Sequence, residues 1–458
     1  MKQRNAIRNR CSALVSLIAL GSLSACATYQ PQPLDTSAAI LATAPKGLVQ
    51  DAALIERPFL AGKPVDVLQP LDRDALGLIA LLYNPDLIAL RKQTGVAEAQ
   101  LLDARLIPDP SVGLSADRVI SGPATAMPGT IAAQIAQDIN SLRSRGARMD
   151  AAQEGLNQVR LDLAWAEWQV VEQVRLLGVR VSYLQRIAEL AESNRAEAED
   201  LLGRTLRAAG RGDIPPDQLQ AARIAALDAA DRAYTAQIDL TGAQQDLRRQ
   251  LGVPPDFTVE LAMPEAAPAA PHLIEITDAA IAERLDLAAL RAGYASQEAN
   301  VRQAIINQFP SLNLGFSVTR DSSDNGIIGA LLDFTLPLWN RNRGQIAIER
   351  ATREALRAEY DARLFAVRAD LAQSLALIGD LQREKARLSA EIAPLRQFSD
   401  ATARAAGRGD LPLATAMTAR QSLRDKQLLL ASVQQSLAEQ YIALELASGI
   451  PWQNWNRP

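Results

Sequence analysis

Pro310-Ser311-Leu312-Asn313-Leu314-Gly315-Phe316-Ser317-Val318-Thr319 changes sides at every residue. Leu312, Leu314, Phe316 and Val318 share one face, and Ser311, Asn313, Gly315, Ser317 and Thr319 the other, which is the period of a β-strand. After a loop over 321–326, Ile328, Ala330, Leu332, Phe334, Leu336 and Leu338 form one apolar face of a second strand. The hairpin 310–338 has an earlier counterpart at 110–139. There Val112, Leu114 and Ala116 oppose Ser111, Gly113, Ser115 and Asp117, and Ile131, Ala133, Ile135 and Ile139 alternate with Thr130, Gln134 and Asp138. Each strand has about ten residues, the length that crosses a bilayer at a tilt with one apolar and one polar face.

The hairpins belong to a duplicated unit. Asp86-Leu87, Leu90-Arg91 and Glu98-Ala99 lead into Pro110-Ser111, as Asp286-Leu287, Leu290-Arg291 and Glu298-Ala299 lead into Pro310-Ser311. Ala208-Ala209-Gly210-Arg211-Gly212-Asp213-Ile214-Pro215 returns as Ala405-Ala406-Gly407-Arg408-Gly409-Asp410-Leu411-Pro412. With element order kept in each copy, this is one doubled unit and not a short-period solenoid.

Long helices follow the hairpins. From Gly146 to Arg207 there is no Pro, and Leu163, Val170, Val174, Leu177, Val181, Leu184 and Ala188 fall at three- and four-residue steps. From Gly344 onward Leu364, Val367, Leu371, Ile378, Leu381, Leu388, Ile392 and Leu395 do the same, a coiled-coil seam. About 60 residues make a rod of ~90 Å. Pro394 is expected to kink the second rod or break its hydrogen bonding locally. Each rod is expected to end at its Gly-Arg-Gly-Asp turn, with Gly210 and Gly407 chiefly serving the reversal. Pro215-Pro216 and Pro412 then open return helices over 217–251 and 413–448.

The N-terminus is a secretory signal. Lys2, Arg4, Arg8 and Arg10 precede an apolar stretch over 13–20 that is too short to anchor as a span. Leu23-Ser24-Ala25-Cys26 resembles the bacterial lipobox, which makes Cys26 the lipidated first residue of the mature chain, and Ala27 after it favours the outer membrane by the same resemblance. The domain reading is signal 1–25, strap 26–72, first repeat 73–253 with its tip at 208–216, linker 254–274, second repeat 275–448 with its tip at 405–412, and tail 449–458. Within the first repeat a helix over 73–106 is expected, interrupted at Asn84-Pro85.

Composition narrows the function. The chain has 48 Lys and Arg against 52 Asp and Glu; losing the four signal cations leaves 44 against 52, a mature charge of −8. An acidic exported chain without a basic block argues against nucleic acid. Cys11 leaves with the signal and Cys26 is lipidated, so no disulfide is available. One His (His272) and no further Cys cannot build the usual Zn or Cu site, a single His gives no credible Ser/His/Asp set, and no Gly-rich phosphate loop is present. No cofactor and no catalytic residue are expected.

These pieces constrain one another. A sheet in lipid cannot keep an open edge, because each unpaired backbone group costs several kcal/mol. Four strands cannot close a barrel, for which about eight are needed, so the chain must oligomerise. Two copies would give about eight strands and a filled interior, three about twelve and a lumen, which the long rods would prolong into the periplasm.

This organisation resembles the TolC-like outer-membrane efflux proteins over nearly the whole mature chain. The matching features are the duplicated unit, Asn84-Pro85-Asp86-Leu87, the strand entry Phe309-Pro310-Ser311-Leu312, and Leu336-Pro337-Leu338-Trp339-Asn340-Arg341-Asn342-Arg343-Gly344, the last most like the heavy-metal branch. The resemblance implies a mainly α fold with a membrane β-barrel: a homotrimer with a 12-stranded barrel, a periplasmic α-helical barrel, and a belt of strap, linker and C-terminus. It implies outer-membrane lipid around the barrel, and a periplasmic adaptor and an inner-membrane efflux transporter as partners. The function implied is a passive duct for small solutes, metal ions or drugs. Where some members carry Asp-Val-Leu-Asp-Ala after the second tip, this chain has Ala414 and Met417, while Asp217 matches only in the first copy. The gate candidates are therefore Asp213, Asp217 and Asp410, with Arg211 and Arg408 beside them, and Gly210–Asp213 and Gly407–Asp410 are the candidate adaptor contacts. The competing reading is a coiled-coil lipoprotein bridging envelope layers, which leaves the four alternating segments unexplained. An enzyme on a helical scaffold finds no support in the residue inventory.

Overall fold

In the computed structural model the chain forms two compact units, 1–43 and 44–458. The structure describes residues 29–34, 48–118, 120–121, 129–262, 264–321, 323 and 325–455. The first unit is described only over 29–34, an exposed stretch without regular structure, and the lipobox with Cys26 lies outside the described residues.

The second unit repeats one order of elements. Helices α1 (Arg73–Tyr83) and α2 (Pro85–Arg105) lead to strands β1 (Ser111–Arg118) and β2 (Gly129–Asp138), the long helix α3 (Ile139–Gly210) and its return α4 (Pro216–Leu251). Then α5 (Leu273–Glu283), α6 (Leu285–Ile306), β3 (Leu312–Arg320), β4 (Gly326–Phe334), α7 (Arg343–Gly407) and α8 (Leu413–Ser448) follow. The break between α1 and α2 is a cap. Buried Asn84 accepts hydrogen bonds from the amides of Asp86 (3.0 Å) and Leu87 (3.1 Å) and donates to the Gln250 carbonyl (2.9 Å), while Pro85 takes the first helical position.

The rods are longer than the heptad pattern suggests. α3 has 72 residues because it starts directly at the end of β2, where the Asp138 carboxylate accepts from the Asn140 amide at 2.8 Å. At 1.5 Å per residue it spans about 108 Å. α7 has 65 residues and runs on through Pro394, whose missing N–H leaves the Ala390 carbonyl without its helical donor. The hydrogen bonding is thus interrupted at Pro394 as expected, but the helix does not end there, since the loss of one bond is small beside the packing of the flanking turns.

Val171, Val174, Leu177 and Val181 of α3 pack against Leu76 and Leu78–Leu81 of α1 and against Leu240, Leu247 and Leu251 of α4. Val367, Leu371 and Ile378 of α7 pack against Leu437, Tyr441 and Leu444 of α8. From Ala222 to Ala236 the buried face of α4 is all alanine (Ala222, Ala226, Ala229, Ala233, Ala236), and small side chains let two helices approach closely. The linker joins the strap by backbone bonds, Leu71 N to Glu260 O at 2.8 Å and Ala262 N to Leu71 O at 3.0 Å. Among the described residues no helix is long and apolar enough to cross a membrane.

Candidate functional site

The four strands form one antiparallel sheet in the order β1-β2-β3-β4. Its register sorts the side chains by chemistry. Val112 pairs with Ile135, Ile135 with Phe316 and Phe316 with Ala330; one residue along, Gly113 pairs with Gln134, Gln134 with Ser317 and Ser317 with Gly329. Directly opposed residues share a face, so the first series defines an apolar face and the second a polar one. In a soluble hairpin the apolar face is buried. Here Leu114 is 80% exposed, Phe316 67% and Ile328 82%, whereas Asn313, Ser317 and Thr319 are half-buried. The apolar face is open, and the polar face is partly shielded along β3 while Ser115, Asp117, Gln134 and Asp333 on the other strands are exposed. Asp138, Asn313 and Asp333 stand in one row of the polar face, and Ala132, Ala136, Ile327 and Leu331 are the apolar members of that face. Leu336 and Leu338 follow the end of β4 at Phe334, and Ser311 precedes β3, so the register extends to fewer residues than the sequence pattern did.

The two tips are built alike. Gly210 and Gly407 are the last helical residues, and a Cβ on either would meet open space. The left-handed residues are Gly212 (φ 76°) and Gly409 (φ 83°), so these, and not Gly210 and Gly407, make the reversal possible. Asp213 N donates to Ala208 O (3.0 Å) and Gly212 N to Ala209 O (2.9 Å), with Asp410 N to Ala405 O (2.9 Å) and Gly409 N to Ala406 O (3.1 Å) in the second copy. This is a Schellman closure in both. Within each closure an arginine meets an aspartate: Arg211 Nε to Asp213 Oδ2 at 2.7 Å, and Arg408 Nε to Asp410 Oδ2 at 2.8 Å. Both pairs are well exposed, so each contributes little to stability. Asp217 stands apart in the first turn of α4, exposed and without an ion-pair partner among the described residues.

A buried charge cluster escaped the sequence reading. Arg175 of α3 (3% exposed) meets Glu172 of its own helix and Asp74 of α1 at 2.8 Å, with Glu445 of α8 at 3.7 Å. Arg73 bonds Glu445 at 2.7 Å and lies 3.8 Å over the Trp452 ring, and the Trp452 amide donates to Glu445 at 3.0 Å. Burial pushes the Glu172 carboxyl up, Arg175 pulls it down, and the neighbouring Glu445 charge pushes it up again; burial wins, and its pKa rises to about 7. Nearby, burial also raises Glu167, but hydrogen bonds from Arg57 and Arg91 outweigh it and hold Glu167 below the usual range. The one signal in the sequence was an i,i+3 Glu-Arg pair inside the apolar seam. Among the described residues no three His, Cys, Asp or Glu are grouped to hold a metal ion.

Residues 276–450 match the family described as outer membrane efflux protein. The chain is 26% identical over 291 residues to the cobalt-zinc-cadmium resistance protein CzcC of Cupriavidus metallidurans, covering 62% of this chain and 67% of that protein. Its fold is similar to that of CusC, at a TM-score of 0.70 and 15% identity over 93% of this chain and 99% of that one. It is equally similar to VceC of Vibrio cholerae, at 0.70 and 16% over 83% and 96%. Channels of this family are trimers that work with an adaptor and an inner-membrane pump. A family match on the second copy, a relative extending beyond it and a fold likeness over nearly the full length agree: residues 276–450 carry the match to the outer membrane efflux proteins, within a chain whose fold is similar to that of CusC and VceC.

Proposed function

We propose that three copies of this chain close their sheets edge to edge into one barrel of twelve strands, a passive exit duct for small solutes. The observation that carries this is the sheet itself, with an exposed apolar face, a polar face opposite it and unpaired outer edges on β1 and β4. In lipid those edges must be paired, and in a closed barrel the polar face becomes the lumen. A second feature supports assembly: Ile224, Leu227, Tyr234 and Ile238 make an exposed stripe on α4 at coiled-coil spacing, opposite its buried alanines.

On this reading Cys26 carries the lipid, and the strap 26–72, linker 254–274 and tail 449–458 form a belt around the rods. The tips, Gly210–Asp213 and Gly407–Asp410, mark the periplasmic mouth. There Arg211 and Arg408 neutralise Asp213 and Asp410 when it is shut and offer charged hydrogen bonds to an adaptor when it opens, with Asp217 on the inner turn behind. The likeness to CzcC supports metal ions as one class of cargo. The decisive experiment is heat-modifiable trimer migration on gels together with conductance in planar bilayers. A monomer that forms no pore would overturn the duct.

A further inference from the structure

The joint between β4 and α7 carries chemistry that a duct does not require. Trp339-Asn340-Arg341-Asn342-Arg343-Gly344 follows the sheet, and Trp339 is 84% exposed beside exposed Leu336 and Leu338. Arg341 and Arg343 each make one long bond to a carbonyl four residues back, Pro337 O and Trp339 O, both at 3.3 Å. Neither has an ion-pair partner among the described residues, and no carboxylate occurs between Asp333 and Glu349. The loop is held open by two successive left-handed residues, Arg341 (φ 47°) and Asn342 (φ 53°), and by Asn342 Nδ2 donating to Ala304 O at 2.8 Å. At the same end of the sheet Arg143, also without an ion-pair partner among the described residues, lies 5.3 Å over the Phe309 ring, and Ile107 is 58% exposed.

We propose that this end of the sheet is an interfacial belt that binds the anionic phosphodiester headgroups of the periplasm-facing phospholipid leaflet. The proposal rests on the barrel reading. Nine-residue strands at ~3.3 Å per residue and a tilt near 45° cover roughly the height of an outer-membrane apolar band, so residues just past a strand end lie at headgroup depth. The rods leave from this end, which assigns it to the periplasmic side. An exposed indole with aliphatic neighbours suits the acyl–headgroup boundary, and guanidinium groups without a carboxylate partner suit a phosphodiester, which they can grip with paired N–H donors.

The full-length protein is reconstituted in vesicles of phosphatidylcholine or of phosphatidylglycerol mixed with phosphatidylcholine, with bromine on the acyl chains of one lipid at a time. Quenching of the indole signal that disappears in Trp339→Phe should be stronger from brominated phosphatidylglycerol. Each arginine near an anionic surface is worth about a fivefold preference, so Arg341→Gln with Arg343→Gln should cut the relative affinity for that lipid by about 30-fold. Conductance and trimer migration should stay as in the parent. Equal quenching by both lipids in a conducting parent, or a preference that survives the double substitution, overturns the belt alone. No quenching by either lipid together with no conductance overturns the barrel, and the belt with it.

Discussion

Glu172→Gln tests the buried cluster. The groups facing Glu172 are Arg175 on its own helix, Arg73 and Asp74 from α1, and Glu445 from α8. With its pKa raised from 4.5 to about 7, the folded state holds a proton there that the unfolded chain has released. Stability therefore falls as pH rises from about 4.5, and the loss is complete once pH has passed about 7. That shift of roughly 2.5 units corresponds to on the order of 3 kcal/mol per chain. Asp162 is shifted in the same direction, by burial and then by Asp286, so Asp162→Asn is the control that separates the two contributions. The measurement is the denaturant midpoint of helix loss in detergent at pH 5 and pH 8. Glu172→Gln keeps an oxygen for Arg175 but cannot ionise, so it should lie slightly below the parent in acid and above it at pH 8. A variant that kept the parent's full slope between those pH values would show that Glu172 is ionised throughout, and the cluster would be a structural clasp and nothing more.

Four further outcomes are expected. Phe316→Arg, at the centre of the open face, should cost about 2–4 kcal/mol of barrel stability in lipid, while Ser317→Arg beside it should assemble and change single-channel conductance; equal effects would mean the register is displaced by one residue. Gly212→Ala places a Cβ at φ 76° and should cost about 1–2 kcal/mol in thermal or denaturant unfolding, whereas Gly210→Ala should be neutral or better. Replacing Asp213 and Asp410 together by Ala should alter closed-state conductance or adaptor crosslinking in an intact trimer, and a match to the parent in both would reduce the tips to turns. Cys26→Ala should abolish fatty-acid labelling yet weaken assembly only in part, since acyl chains are modest anchors, and retained label would refute the assignment.

Periodicity carried most of the fold. Alternation in Leu312–Thr319 and three-and-four spacing in Val367–Leu388 are set by backbone geometry, so strands and rods could be read from residue order alone. The tips were legible as turns but not glycine by glycine, because which of two glycines takes the left-handed conformation depends on where the helix stops. Asp138 capping α3 and α7 running through Pro394 depend on local competition between single hydrogen bonds and packing, which no pattern encodes. The cluster of Arg73, Asp74, Glu172, Arg175 and Glu445 joins residues up to 372 apart, and a linear reading has no access to such a meeting.

The two copies connect sheet to rod in mechanically different ways. β2 passes into α3 with no intervening residue, whereas β4 ends at Phe334 and α7 begins at Arg343 after a bent segment. A helix resists torsion about its axis because every turn is hydrogen-bonded to the next, while an irregular segment takes up rotation in its dihedral angles. Each protomer therefore has one stiff drive shaft and one universal joint. On the duct proposal, a twist imposed at the tips would reach the sheet through α3 and be taken up ahead of β4, so the two hairpins would feel an opening of the proposed mouth unequally.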